Sequence, residues 1–272
     1  MKVKTSTTIW QYILLTVVAL VIAMPILAGL WVSFLSNDDV LNANYFHAHV
    51  GLQNYIDAFQ TTPIFRYLLN SIWVSLITTV GQVLFAALAA YAFVFIKFPG
   101  KNIIFYAFIA TMMLPFEAQL IPNFQTLRVL GMLNNYSGLT VPFFASAFGT
   151  FMLRQAFKQI PVELKDAADI EGVSHWRFLT KVVMPYAKTS VYTLASYAFL
   201  TTWNMYLWPL ITSYNDNVRT AQIGLRQLKA LESTNAWGLI MASAIIIVIP
   251  SVIVLFFSQK SFKRGLADGA IK

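Results

Sequence analysis

Apolar residues gather along the chain into six long stretches separated by short polar connections. They run from about Ile9 to Leu35, Tyr67 to Phe95, Ile103 to Phe124, Leu139 to Phe157, Tyr186 to Ile211 and Trp237 to Phe257. Each reaches or approaches the ~20 residues a helix needs to cross a hydrocarbon core. The pattern predicts an all-α, polytopic membrane protein with six transmembrane helices, organised as one domain over residues 1–272. The first stretch far exceeds the ~7–15 apolar residues of a signal-peptide core. It also lacks a clear small-x-small cleavage site after Pro25, so it reads as a retained span.

Composition agrees. The chain is 58% hydrophobic and 11% charged, with mean hydropathy +0.64, whereas a soluble domain is about half apolar and a quarter charged. A net charge of +8 would suggest nucleic acid in a soluble protein. In a membrane protein it reflects the gathering of Lys and Arg on the cytoplasmic side, so no nucleic-acid partner is expected. Fourteen of the nineteen basic residues fall on one side of the six stretches: Lys2 and Lys4, Lys97 and Lys101, six between Arg154 and Lys188, and four from Lys260 onward. Arg66, Arg128, Arg219, Arg226 and Lys229 fall on the other. This asymmetry places both termini in the cytoplasm. With no cysteine there is no disulfide and no thiolate metal site. His47 and His49, in an outer loop without a nearby Cys or Glu, read as solvated surface, and no metal site is expected.

The connection between the fourth and fifth stretches is unusual. From Pro161 to Pro185 it is charged yet not disordered in composition. Pro161 suits the start of a helix, with Glu163 and Asp166 in its opening turns, where the helix dipole favours anions. Gly172 suits its end, Ser174 can cap a second short helix, and Pro185 begins the next span. Two short helices joined by a glycine turn are therefore displayed to the cytoplasm. Small Ala167 and Ala168 permit close approach of another surface, with Leu164 and Ile170 as apolar contacts beside them.

The run Asp166-Ala167-Ala168, then Gly172, then Val182-Val183-Met184-Pro185 resembles the signature Glu-Ala-Ala-x3-Gly-x9-Ile-x-Leu-Pro of ABC-importer permeases. Asp, Val and Met replace the family's Glu, Ile and Leu, while the Gly and Pro spacing is kept. Trp203-Asn204-Met205-Tyr206-Leu207-Trp208-Pro209-Leu210 and the tail from Gln259 to Lys272 are similar to the carbohydrate-uptake branch, in particular the second permease subunit of maltose-type and glycerol-3-phosphate-type systems. The resemblance implies a binding-protein-dependent importer of a carbohydrate-like solute. It also implies an assembly with a partner permease, two ATPase subunits and an extracellular or periplasmic solute-binding protein. Glu163, Asp166, Ala167, Ala168, Gly172 and Pro185 would then form the ATPase-coupling segment. The sequence contains no Gly-x4-Gly-Lys-Ser/Thr phosphate loop, so ATP and Mg would be bound by the partner ATPases and no cofactor by this chain.

For the solute path, Tyr197, Thr201, Asn204 and Trp208 recur at i, i+4, i+7 and i+11, which places them on one face of a fifth-span helix. Hydroxyls, an amide and an aromatic plane suit a sugar or polyol. Ser71, Ser75, Thr78 and Gln82 make a similar stripe in the second span, read as helix packing by small polar residues. Glu117 is either a carboxylate facing a cavity beside helix breaks at Pro115 and Pro122, or a solvated group at the outer interface. A secondary transporter or channel subunit is the alternative. It would call for an inverted repeat and paired ionisable residues at mid-depth, and neither is found. A membrane enzyme would need a convergent acid, base or nucleophile set, and none falls on one span, so the chain reads as non-catalytic.

Overall fold

The structure is a computed structural model that describes residues 5–47, 49–231 and 236–270. Lys2, Lys4 and Lys272, and the side chains of Lys229, Lys260, Lys263 and Arg264, lie outside the described residues. Among the described residues there is no strand, only one isolated bridge between Leu35 and Val50.

The helices in chain order are α1 Thr5–Val32, α2 Asn37–Leu41, α3 Gln53–Thr61, α4 Ile64–Phe95, α5 Lys101–Ala110, α6 Phe116–Val129, α7 Tyr136–Thr140, α8 Ala147–Phe157, α9 Val162–Ile170, α10 His175–Phe178, α11 Met184–Tyr186, α12 Lys188–Trp203, α13 Leu207–Thr212, α14 Ala221–Leu231 and α15 Trp237–Ala270. The fold is all-α and polytopic, as the hydropathy pattern predicts. Ile9–Val32, Ile64–Phe95 and Trp237–Gln259 are unbroken helices long and apolar enough to cross a membrane. The third and fourth expected spans are bent pairs: Lys101–Met113 with Phe116–Val129 at 103°, and Tyr136–Phe143 with Ala147–Phe157 at 44°. The sharper bend lies at Leu114-Pro115, where Pro115 is extended (ψ 141°) and has no N–H to return to the preceding turn. Pro122, expected to be a second break, sits inside α6 without interrupting it.

The fifth expected span is not one helix. It ends at Trp203 and resumes at Leu207. Pro209 explains the gap: a continuous helix would need its missing N–H and would drive its ring into the carbonyl of Met205.

Two compact units emerge, Met1–Phe65 with Gly224–Ile249, and Arg66–Ile223 with Pro250–Lys272. In the first, Asn54 donates to the carbonyls of Ser33 (3.0 Å) and Leu35 (2.7 Å), tying the chain beyond α1 to α3. Gly238 lies so close to Asn54 that a Cβ there would come within 2.5 Å of Nδ2. The loop after α1 closes on Asp39, whose carboxylate accepts from Ser36 Oγ (2.6 Å), Asn44 Nδ2 (2.9 Å) and the His49 N–H (3.0 Å). The Ser36 and His49 hydrogen bonds, with Asn44 behind them, hold the Asp39 carboxyl down to about 2.

The second unit has two apolar centres. One joins α4 (Ala86, Ala90, Tyr91) to α8 (Leu153, Phe157) and α12 (Leu194), and takes in Phe178 and Val183 from the connection between α9 and α12. Small residues let these helices approach: a Cβ on Gly149 would sit 3.1–3.2 Å from Leu194 and Ala86. The other centre gathers Val74, Leu127, Leu139 and Trp208. At its edge Tyr67 donates to Asp216 (2.6 Å) and Tyr136 to Asn70 (2.7 Å), fixing the 213–220 loop. The Tyr67 hydroxyl and the Arg219 guanidinium hold the Asp216 carboxyl below the usual carboxylate range.

Candidate functional site

The connection between α8 and α12 folds as the sequence spacing predicts. α9 starts directly after Pro161, with exposed Glu163 in its first turn. Gly172 turns the chain at φ 68°, a conformation that costs glycine nothing. Ser174 Oγ then accepts from the Arg177 N–H (3.4 Å) and caps α10. Lys165 pairs with Asp169 along α9. Glu163, Asp166, Ala167, Gly172 and Pro185 are exposed. Ala168 is not: at 9% exposure it packs into the α4–α8–α12 core, so only Ala167 of the pair is open to close approach from outside.

The outer surface of this segment is apolar where a solvated loop would not be. Val162 and Ile170 are 64% and 86% exposed, whereas Trp176, 61% exposed, lines a cavity beside Val80, Leu84 and Leu88 of α4. The inner surface is anchored: Tyr91 of α4 shares a 2.8 Å hydrogen bond with His175 Nδ1, and Phe178 packs edge-on against Phe95. From α10 the chain runs into α12 through a π-wound turn, Leu179–Val183, in which the Met184 N–H reaches back to Leu179 O. Pro185 follows at the point where a helical N–H is missing, so the register change and the proline occupy one place. The segment thus packs against α4 and α12 on one side and leaves apolar residues uncovered on the other.

The expected solute-path residues divide. Tyr197, Thr201 and Asn204 lie on the exposed side of α12. Tyr197 packs on Phe148 at a centroid distance of 4.6 Å, and Asn204 ends the helix with Nδ2 on Leu200 O (2.8 Å). Trp208 lies beyond the helix break, is fully buried, and meets Phe143 edge-on at 5.7 Å. Glu117 is exposed in the first turn of α6, just after the bend.

A cleft of ≈ 290 Å³, unseen in the sequence reading, opens beside Trp208. The α6 residues Phe116, Gln119 and Asn123, spaced i, i+3 and i+7, line one side, and Gln82 of α4 and Ser146 line others. Glu117, between two of these residues in sequence, is not among its lining. The available signal was the amide pair at Gln119 and Asn123 within an apolar stretch. The second-span stripe is buried throughout, with Ser71, Ser75, Thr78 and Gln82 at 9% exposure or less. Ser71 accepts from the Ala221 N–H (2.8 Å), whereas the oxygens of Ser75, Thr78 and Gln82 find no hydrogen-bond partner among the described residues.

Comparison with known proteins adds three findings. The family described as "Binding-protein-dependent transport system inner membrane component" matches residues 82–268. The chain is 34% identical to the sn-glycerol-3-phosphate transport system permease protein UgpE of Pectobacterium atrosepticum, over 96% of each chain. It is 38% identical to the protein of the same description from Salmonella typhi, over 76% of this chain and 74% of that one. Among solved structures, a chain of a bacterial ABC transporter involved in import of the acidic polysaccharide alginate superposes with TM-score 0.84 at 22% identity, covering 96% of this chain and 99% of that one.

Proposed function

The chain belongs to the family of binding-protein-dependent transport system inner membrane components, and from that premise we propose that it imports a carbohydrate-like solute, a sugar or glycerol phosphate. It is a multi-pass permease subunit of an ABC importer. In our reading it forms the translocation path with one partner permease, takes its energy from two ATPase subunits, and receives solute from an extracellular or periplasmic binding protein. Both termini face the cytoplasm on the basic-residue asymmetry. The chain itself does no chemistry.

One observation carries the coupling role: the glycine-turned pair α9 and α10, anchored through Tyr91 and Phe178, with Val162 and Ile170 left uncovered. An apolar patch on a charged cytoplasmic segment marks a protein contact. Glu163, Asp166 and Ala167 supply the charge and close approach around it, while Ala168, Gly172 and Pro185 set the shape on which it rests. The solute path is assigned to the exposed α12 face of Tyr197, Thr201 and Asn204, with Glu117 at the mouth made by the α5–α6 bend and Trp208 as the packed floor behind. The glycerol-3-phosphate relatives support a small polyol phosphate, and the alginate importer supports the fold alone.

The test is reconstitution. The purified chain should bring an ATPase with it, and proteoliposomes holding the complete assembly should accumulate solute only with ATP and the binding protein. Uptake driven by an ion gradient without ATP would establish the secondary-transporter alternative instead.

A further inference from the structure

We propose that the cleft beside Trp208 is a solute subsite that holds the uncharged, hydroxyl-bearing part of the cargo. The inference rests on the importer reading above and adds a place and a chemistry to it. The cleft combines three carboxamides, Gln82, Gln119 and Asn123, with the ring carbons of Phe116, Phe143 and Phe148, the fully buried Trp208 lying behind them. Carboxamides both donate and accept, which matches a hydroxyl, and an aromatic wall matches the C–H face of a sugar or polyol. No Lys, Arg, Asp or Glu is among the described residues that line it. A phosphate or carboxylate would meet no countercharge there, so the neutral part of the cargo is what fits.

Gln82 points the same way. It is 9% exposed, lines the cleft, and its Oε1 has no hydrogen-bond partner among the described residues. Packing alone does not require an amide at such a position. Gln119 is partly committed, donating from Nε2 to Leu114 O at 3.1 Å, which holds it beside the α5–α6 bend. The cleft is set by close packing: a Cβ on Gly81, next to Gln82, would fall 2.2 Å from the Phe144 ring. Phe148 also carries Tyr197 on its other contact, which joins the cleft to the α12 face assigned to the path.

The test uses the assembled complex carrying Asn123→Cys in a chain with no native cysteine. The labelling rate with a small polar thiol reagent is followed with glycerol, maltose, sn-glycerol-3-phosphate or inorganic phosphate present. At least one of glycerol, maltose and sn-glycerol-3-phosphate should slow labelling at position 123 several-fold. Phosphate should not, and Val129→Cys, on the same helix but outside the cleft, should be unaffected. Adding Gln82→Met should remove most of the protection without lowering the melting temperature of the complex, since Met matches the shape and Oε1 has no partner to lose. Protection by phosphate alone, or by none of the four probes, overturns the subsite. Uptake of a solute that gives no protection overturns the subsite while leaving the importer reading standing. Absence of ATP-driven uptake with protection intact does the reverse.

Discussion

The indole N–H of Trp208 donates a 2.9 Å hydrogen bond to the carbonyl oxygen of Gly138. The two residues are distant in sequence, and the bond locks α13 onto α7. Any residue could supply that carbonyl, but sterics require glycine there. A Cβ on Gly138 would stand 2.2 Å from Met132 O, so α7 can pass the end of α6 only without a side chain there. The helix break before Trp208 and the bare backbone at Gly138 are two halves of one joint.

Trp208→Phe should therefore separate shape from hydrogen bonding. Phenylalanine keeps most of the ring volume and leaves the buried Gly138 carbonyl unpaired, at a cost of about 1–3 kcal/mol. Trp208→Ala adds a cavity and should cost about 3–5 kcal/mol. Thermal unfolding in detergent reads both. If Trp208→Phe were as stable as the native protein, the bond to Gly138 would be doing nothing that the ring does not.

Gly172 makes a second contrast. Its backbone is left-handed, and no atom lies within 4 Å of where a Cβ would be. Alanine there meets only the conformational penalty, about 1–2 kcal/mol, and the coupling segment should still dock. Proline cannot take positive φ, and it also removes the N–H that Gly172 gives to Asp169 O at 3.2 Å. Gly172→Ala should keep most ATP-driven uptake, and Gly172→Pro should abolish it in complexes that still assemble. Native uptake by the proline variant would mean that this turn transmits nothing.

These two positions mark what sequence can and cannot disclose here. Gly172 was legible because a single residue type serves a single backbone conformation, and the surrounding caps repeat the message. The break after Trp203 is signalled by Pro209, and the i, i+4, i+7, i+11 spacing of the polar face runs across it. Trp208 therefore does not share the face on which the spacing alone would put it. The cleft was illegible for a different reason. Gln82, Gln119 and Ser146 sit on separate elements, and only the 103° bend at Pro115 and the Gly81–Phe144 contact bring them together. Local patterns do not encode such distances. Ala168 shows the same limit on a smaller scale: adjacent alanines look equivalent in sequence, but one faces the core.

Asp39 supplies a pH prediction. Its carboxyl is depressed to about 2 from an ordinary 3.8 by the hydrogen bonds of Ser36, His49 and Asn44. A depressed carboxyl favours the folded loop above the ordinary value, and that contribution fades as pH falls through the range from 3.8 toward 2. Carbon-13 NMR of labelled aspartate should show one resonance titrating near 2, absent in Asp39→Asn. In Asn44→Ala the midpoint should move upward, toward the ordinary range. A native midpoint near 4 would show that the loop does not close around the charge in solution.

The last prediction concerns the α12 face. Single cysteines at 197, 201, 204 and 208 should not behave alike, although their spacing alone would treat them as one stripe. Tyr197, Thr201 and Asn204 are exposed, while Trp208 is fully buried among aromatic rings. A membrane-impermeant thiol reagent should label positions 197, 201 and 204 in the assembled transporter, with rates that change when ATP is added if this face lines the path. Position 208 should stay unreactive unless the joint with Gly138 is broken, and the cysteine variant there should be unstable. Asn204→Ala tests the same face by function. Its amide already gives one N–H to Leu200 O, so its loss removes at most a neutral hydrogen bond to solute, on the order of 1 kcal/mol, or a several-fold loss of cargo affinity. Labelling at 208 but not at 197, 201 or 204 would place the path beside α13 and not on this face of α12. Equal labelling of all four in every nucleotide state would show that the break after Trp203 does not persist in the membrane.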